Sequence, residues 1–388
     1  MYRILISGYY GFNNIGDESI LKAVTGSLRE GLTDIDITVL SSDPEGTTKR
    51  YGVRSRDRRS LFSIVRSVAG CDLLISGGGS LLQDVTSKRS IIYYLFIMWL
   101  AGLFGKDYFI YSQGIGPINL ERNRKWTAKI LKKASGIVVR DEKSREFLGE
   151  IGIDKSKVVV TADPVLKLKP AGLEIGRRIL AEEGCGFETK GSGNSESDAA
   201  GGAGTRPTVV GLAVKERRLD SEFASEMVLA AERLIRERNC RVVLIPFHYN
   251  EDVAIVEEMA KRLSERGLSD SVCALRHKYL TEEMMSIIGN TDVLAGVRLH
   301  SLIHAAIMGI PMIGISYDPK INSFMYSIGR KAMCSVYDFT AEDFLEEFDR
   351  VMADKEGISA KVAERVAGLR DSLDTNEKMI SAIMARGK

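Results

Sequence analysis

VRLHSLIHAAIMGIPMIGISYDPKI, residues 297–321, reads as a polar turn, a helix, a strand opening at Pro311 and a second polar turn. A crossover helix returns the chain to a neighbouring parallel strand, so both turns fall at one edge of a sheet. Arg298 and His300 stand in the first turn and Lys320 in the second. A guanidinium, an imidazole and an ammonium beside a helix N-terminus suit a small polyanion.

The same alternation runs through the whole chain. Apolar runs at 2–7, 36–40, 72–76, 108–112, 136–140 and 157–161 are separated by amphipathic stretches near 17–31, 60–69, 88–104, 120–134 and 141–151. A second set of runs follows at 208–214, 241–247, 271–275, 292–296 and 312–316, with helical periods between them. Strands apolar on both faces that alternate with helices predict parallel, doubly wound sheets. The fold class expected is α/β, with two such domains facing a cleft and a helical C-terminal tail. The expected divisions are 1–165 for the first α/β domain, 166–207 for a linker, 208–335 for the second α/β domain and 336–388 for a helical tail that crosses back to the first. Within the linker, residues 190–207 are small, polar and glycine-rich, which predicts a loop with too little apolar surface to order itself.

The 388 residues are 44% hydrophobic and 27% charged, values ordinary for a globular protein. Five scattered cysteines without a C-x-x-C pair predict reduced thiols and a cytoplasmic location. The apolar run 91–104 is shorter than the about 20 residues that a membrane span needs. Net charge is +2, yet residues 1–165 hold 24 Lys+Arg against 18 Asp+Glu. Much of the excess lies in 49–60 and in RNRKWTAKILKK (122–133), which predicts an amphipathic helix and contact with an anionic membrane at its inner face. No metal-ligand spacing or RNA-binding signature occurs, so no metal, cofactor or nucleic acid is expected.

The first domain has its own strand-end turns. In SGYYGFNNIGDESIL (7–21), Asn14 or Asp17 can cap the next helix, whose dipole suits Asp17 and Glu18. There Tyr10 and Phe12 can present flat faces to a sugar ring, with Asn14 beside them and a carboxylate (Asp17 or Glu18) to orient or deprotonate a hydroxyl. The glycine order is not G-x-G-x-x-G, which argues against a dinucleotide. Gly78 and Gly79 in SGGGSLLQD (76–84) can form an anion-binding nest of backbone N–H groups. Arg140 arrives at the end of another strand as a fourth cation.

Taken in order, GYYGFNNIGDE, SGGGSLLQD, SQGIGP, VVRD, ADPV and the 297–321 stretch resemble the polysaccharide pyruvyl transferase family, in particular its cell-surface-anchoring (CsaB-like) type. The resemblance implies a fold like that of two-lobed (GT-B) glycosyltransferases and a reaction with phosphoenolpyruvate. It implies that a 4,6-linked pyruvate ketal is placed on N-acetylmannosamine in a lipid-linked precursor of a secondary cell-wall polymer, which anchors S-layer proteins. Phosphoenolpyruvate packs a carboxylate and a phosphate on three carbons, so Arg298, Lys320, Arg140 and the Gly78–Gly79 turn are the expected donor contacts. Ketal formation needs a proton delivered to the enol CH₂, and His300 is the expected acid. His304, one turn on, is expected in the packed interior, and His248 at a strand end. Two other readings remain open at this point. One is a nucleotide-sugar glycosyltransferase, which wants an acid for the ribose hydroxyls that the 297–321 turns lack; the other is a non-catalytic binder of anionic sugar lipids.

Overall fold

The alternating apolar runs pair as parallel strands throughout, in two separate sheets. The computed structural model describes residues 1–85, 87, 89–185, 206–216 and 218–386. The chain divides into two units, Met1–Leu168 with the segment from Ala367 onward, and Lys169–Val366.

The first unit holds strands β1 (Tyr2–Ser7), β2 (Ile35–Ser41), β3 (Arg54–Asp57), β4 (Leu73–Ser76), β5 (Gly79–Leu82), β6 (Asp107–Ile115), β7 (Gly136–Val139) and β8 (Val158–Val160). Their order is β3-β2-β1-β4-β6-β7-β8, with β5 also on β6. The chain runs outward from β1 to β3 and then returns to β4 to run the other way, so β1 and β4 form the switch point where open sheets bind ligands. Strand β3 and the helix Pro44–Tyr51 escape a reading by apolar periodicity. RSRD has no apolar residue, and its place at the sheet edge against β2 comes from tertiary pairing alone.

The second unit holds β9 (Thr208–Ala213), β10 (Cys240–Leu244), β11 (Val272–Ala274), β12 (Val293–Gly296), β13 (Met312–Ser316) and β14 (Cys334–Ser335). The order β11-β10-β9-β12-β13-β14 puts its switch point between β9 and β12.

The expected 166–207 connector falls into three parts. Residues 166–168 end the first unit, and helix Leu173–Glu182 packs into the second, where the Gly176 N–H donates to Ser286 Oγ at 2.7 Å. Residues 186–205, which hold most of the expected glycine-rich loop, lie outside the described residues. Cys185 and Cys273 are joined as a disulfide with Cα atoms 5.1 Å apart. This corrects the expectation of five reduced thiols, because spacing along the chain cannot reveal that residues 88 apart meet.

The C-terminal region is helical, with Ala341–Ala353 and then Lys355–Arg386. The second of these belongs to the second unit up to Val366 and to the first from Ala367. Its last turns cover β6: Glu377 accepts from the Tyr111 hydroxyl, Asn376 Nδ2 donates to Ser112 Oγ at 2.8 Å, and Arg370 Nε donates to the Leu166 carbonyl at 2.5 Å.

Candidate functional site

In the second unit, the carboxyl ends of four adjacent strands present the polar residues. Lys215 follows β9; His248, Glu251 and Asp252 follow β10 and open helix Tyr249–Glu265; Arg298 and His300 follow β12; Tyr317, Asp318 and Lys320 follow β13. Local sequence sets these positions. Arg298 is the N-cap of helix Leu299–Ile307, and the Ser301 hydroxyl donates back to its carbonyl at 2.6 Å. Asp318 caps the helix Pro319–Ser327 by accepting from the Lys320 N–H at 3.0 Å, with proline at the first helical position.

Arg298 and Lys320 do not stand alone. Arg298 Nε donates to Asp252 at 3.0 Å, Nη2 donates to the other Asp252 oxygen, and Nη2 also reaches Glu251 at 3.0 Å. Asp252 is completely buried and also accepts from the His248 backbone N–H at 2.7 Å. The guanidinium fork expected to meet a donor carboxylate is therefore held by a protein carboxylate. Lys320 Nζ lies 3.2 Å from Asp318. Arg298, Lys320 and Lys215 stand with Glu251, Asp252 and Asp318, three cations with three carboxylates, so the group is far less cationic than the sequence suggests.

Electrostatics nonetheless concentrate positive potential at one point. Lys215 Nζ stands 4.2 Å and Lys320 Nζ 5.8 Å from the Tyr317 ring centroid. Burial pushes the Tyr317 phenol up, but Lys320, Lys215 and Arg298 together outweigh burial and Asp318 and hold it below its ordinary value. Burial likewise opposes ionisation of Glu251, yet the Arg298 hydrogen bond and the charges of His248, Arg298 and Lys215 bring its carboxyl down to about 2. His248, 3.4 Å from Glu251, is held below its ordinary value by burial. His300 is half-buried at the start of its helix, while His304 is fully buried against Phe247, as expected.

At the switch point of the first unit, three expectations need correction. Tyr10 offers no face to a sugar: it is 1% exposed, under Gly8 and Gly77, where an added Cβ would lie 2.3 Å and 2.2 Å from its ring and hydroxyl. Tyr9 takes its place, stacked on Phe12 with centroids 4.1 Å apart, and the Arg58 guanidinium sits 5.0 Å from the Phe12 centroid. Glu18 is buried and its oxygens accept from the Gly11 N–H at 2.8 Å and the Tyr51 hydroxyl at 2.5 Å, so it fixes the loop. The nest is also smaller than expected, because Gly77 N–H donates to Ser7 and Gly79 already pairs with β6.

The remaining residues stay together. Asn14 caps its helix by accepting from the Gly16 N–H at 3.1 Å, and its amide donates to Asp17 at 2.6 Å. Asp17 is half-buried and near Gly79, whose added Cβ would lie 3.3 Å from it; Gly78 packs on Ile20. Arg140 is buried flat on Gly114 and tied to Asp163 at 3.1 Å, to Ser80 Oγ at 3.0 Å and to Asp141 at 3.5 Å. Arg140 thus knits the ends of β5 and β7 to the turn after β8. The basic helix Glu121–Leu131 turns Ile130, Leu131 and most of Trp126 into the core, so its outer side carries no apolar residue for a membrane. Sequence reasoning missed Lys215, Glu251, Asp252, Tyr317, Tyr9 and Arg58; all but Arg58, which lies just beyond the edge strand β3, follow apolar strands, and the strand-end rule alone could have flagged them.

Comparison with known proteins places this arrangement. The chain is 21% identical to the amylovoran biosynthesis protein AmsJ of Erwinia amylovora, over 96% of this chain and 98% of that protein. Among solved structures, HepE of Anabaena in complex with UDP and glucose superposes with a TM-score of 0.64 at 10% identity, covering 100% of both chains. MnaA of S. aureus bound to UDP gives 0.64 at 12% identity over 99% of this chain and 96% of that one. These two support the two-domain, GT-B-like fold, while residues 14–319 match the family described as polysaccharide pyruvyl transferase. The chain belongs to the polysaccharide pyruvyl transferase family.

Proposed function

We propose that this enzyme is a ketal pyruvyl transferase of the cell-surface-anchoring type. It moves pyruvate from phosphoenolpyruvate to a lipid-linked saccharide, with the 4,6-hydroxyls of N-acetylmannosamine in a secondary cell-wall polymer precursor as acceptor, at the cytoplasmic face of the membrane. The observation that carries the donor assignment is the convergence of Lys215 and Lys320 on the Tyr317 ring, at 4.2 Å and 5.8 Å from its centroid, beside Arg298 at the next strand end. A place where cations outweigh burial is a place built for the negative charge of a small anion.

In this reading Lys215, Lys320 and the edge of Arg298 not taken by Asp252 bind phosphate and carboxylate. His300 donates a proton to the CH₂ carbon of the enol, which becomes the methyl, and C2 turns electrophilic. One sugar hydroxyl forms a bond to C2, and the C2–O bond to phosphate breaks, releasing phosphate. The second hydroxyl closes the ring on C2. Of the two hydroxyl protons lost, one restores His300 and the other leaves with a base or with phosphate. Asp17 is the carboxylate assigned to orient the acceptor, beside Asn14 and the Tyr9–Phe12 stack.

The test is the His300→Gln variant assayed with phosphoenolpyruvate and the acceptor sugar in D₂O. Turnover should fall about 10²–10⁴-fold with donor binding retained, and the parent should place deuterium in the product methyl. Undiminished turnover by the variant would remove His300 from this role. A second reading, transfer from a nucleotide sugar, gains from Glu251, an acid beside the cations that could hold ribose hydroxyls. Calorimetric titration separates the two, since only that reading expects UDP to bind and phosphoenolpyruvate not to.

A further inference from the structure

Among the described residues, six of the twelve large hydrophobic side chains left exposed lie between residues 61 and 104. Phe62 is 74% exposed, Leu103 63% and Trp99 46%. They sit on two helices, Leu61–Gly70 and Ser90–Leu103, which pack against each other in one layer over the sheet. Both bury their inner sides in the same core cluster, through Ile64 and Val68 on one and Ile91, Leu95 and Met98 on the other. Their outer sides therefore face the same way. On the longer helix, Trp99 and Leu103 lie on that outer side, with the partly buried Ile92 and Phe96 continuing the apolar row at helical spacing, and SIIYYLFIMWLAGL contains no charged residue.

The charges in the segment that carries this face are mostly positive. Residues 54–106 hold eight Lys+Arg and three Asp+Glu, a local excess of five positive charges. Arg59, Arg66 and Arg89 are exposed. The three acids are engaged: Asp57 accepts from the Arg59 N–H, Asp72 pairs with Arg3, and Asp84 is buried, accepting from Asn119, Leu120 and Asn123. An exposed apolar stripe with tryptophan, framed by arginine, suits an interface of acyl chain and anionic headgroup. A second copy of this chain is the poorer occupant, because a two-fold contact would set the same arginines against each other. Among the described residues no helix is long and apolar enough to cross a membrane, and Ser90–Leu103 has 14 residues.

We propose that the outer face of helices Leu61–Gly70 and Ser90–Leu103 docks on an anionic membrane surface, with Phe62, Trp99 and Leu103 inserted at the headgroup boundary. This inference does not rest on the pyruvyl-transfer reading. It also moves the membrane contact away from helix Glu121–Leu131, where the sequence suggests it.

The two tryptophans of the chain, Trp99 and Trp126, stand on the two rival surfaces and make the test direct. The full chain is mixed with vesicles of phosphatidylcholine, alone or with phosphatidylglycerol, some carrying brominated acyl chains. With Trp126→Phe, the emission of Trp99 should shift to the blue and be quenched by the brominated anionic vesicles. With Trp99→Phe, the emission of Trp126 should not change. Phe62→Ser with Leu103→Ser should lower vesicle partitioning at least about tenfold, and each of Arg59→Gln, Arg66→Gln and Arg89→Gln about fivefold. These positions are exposed, and an unchanged circular dichroism spectrum identifies folded variants. Trp99 emission indifferent to anionic vesicles would overturn the proposal. So would sedimentation showing a dimer that shields Trp99 without lipid, which would assign the face to a second copy.

Discussion

Asp252 holds Arg298 across 46 residues of sequence by two hydrogen bonds, one to each carboxylate oxygen, and the acid is completely buried. The contact ties the N-terminus of helix Tyr249–Glu265 to the end of β12 and orients the guanidinium within the candidate site. Removing the acid leaves a nearly buried positive charge with only the Glu251 contact to compensate it. Asp252→Ala should therefore lower stability by up to about 3–5 kcal/mol in urea unfolding. Replacing both partners with apolar residues, Asp252→Leu with Arg298→Met, should restore most of that stability and still abolish donor binding. An Asp252→Ala variant as stable as the parent would show that the pair is not formed.

Glu251 gives an acid-side signature. Its folded carboxyl, near 2, lies below the ordinary value of about 4.3, so ionisation favours the folded state. That contribution is present above the ordinary range and is lost as the pH falls from about 4.5 towards 2. Glu251→Gln should be less stable than the parent at neutral pH, and the two should converge through that window. Urea midpoints measured against pH provide the check, and curves that stay parallel down to the acid end would refute it.

Tyr317 should ionise below the ordinary tyrosine range, because Lys215, Lys320 and Arg298 surround it. In an alkaline absorbance titration, Tyr317→Phe should remove that step, and Lys215→Met should move it to higher pH. The same lysine variants should weaken phosphoenolpyruvate binding about 10- to 100-fold, as expected for losing a charge-assisted contact. Calorimetry on Lys215→Met and Lys320→Met tests this, and parent-like affinity in both would place the donor elsewhere.

Gly77 has no room for a side chain. An added Cβ would lie 2.2 Å from the Tyr10 hydroxyl and 3.3 Å from the ring carbon that bears it. Gly77→Ala should cost about 1–3 kcal/mol by overpacking. Tyr10→Phe removes the clashing oxygen, so the double variant should recover much of the loss, a coupling that thermal unfolding of the four forms would measure.

Apolar periodicity by itself determined the two parallel sheets, eleven of the fourteen strands among the described residues and the position of every strand-end turn in the candidate site. It could do so because a strand buried on both faces and a helix with one buried stripe leave different repeats in the chain. The same rule located Arg298, His300 and Lys320 at neighbouring strand ends before any contact was known. Partners were decided only by tertiary structure. Nothing near residue 298 announces that Asp252 and Glu251 will close on the guanidinium, and nothing near residue 140 that Asp163 will meet Arg140. The choice between Tyr9 and Tyr10 was likewise settled by packing, since both side chains leave the same turn and only one fits beneath Gly8 and Gly77. Edge strand β3 belongs to this second kind as well, held by backbone pairing to β2 with no apolar signal of its own. Local sequence sets which way a strand or helix faces, while charge pairing and burial depend on residues that are distant in the chain and meet only when it folds.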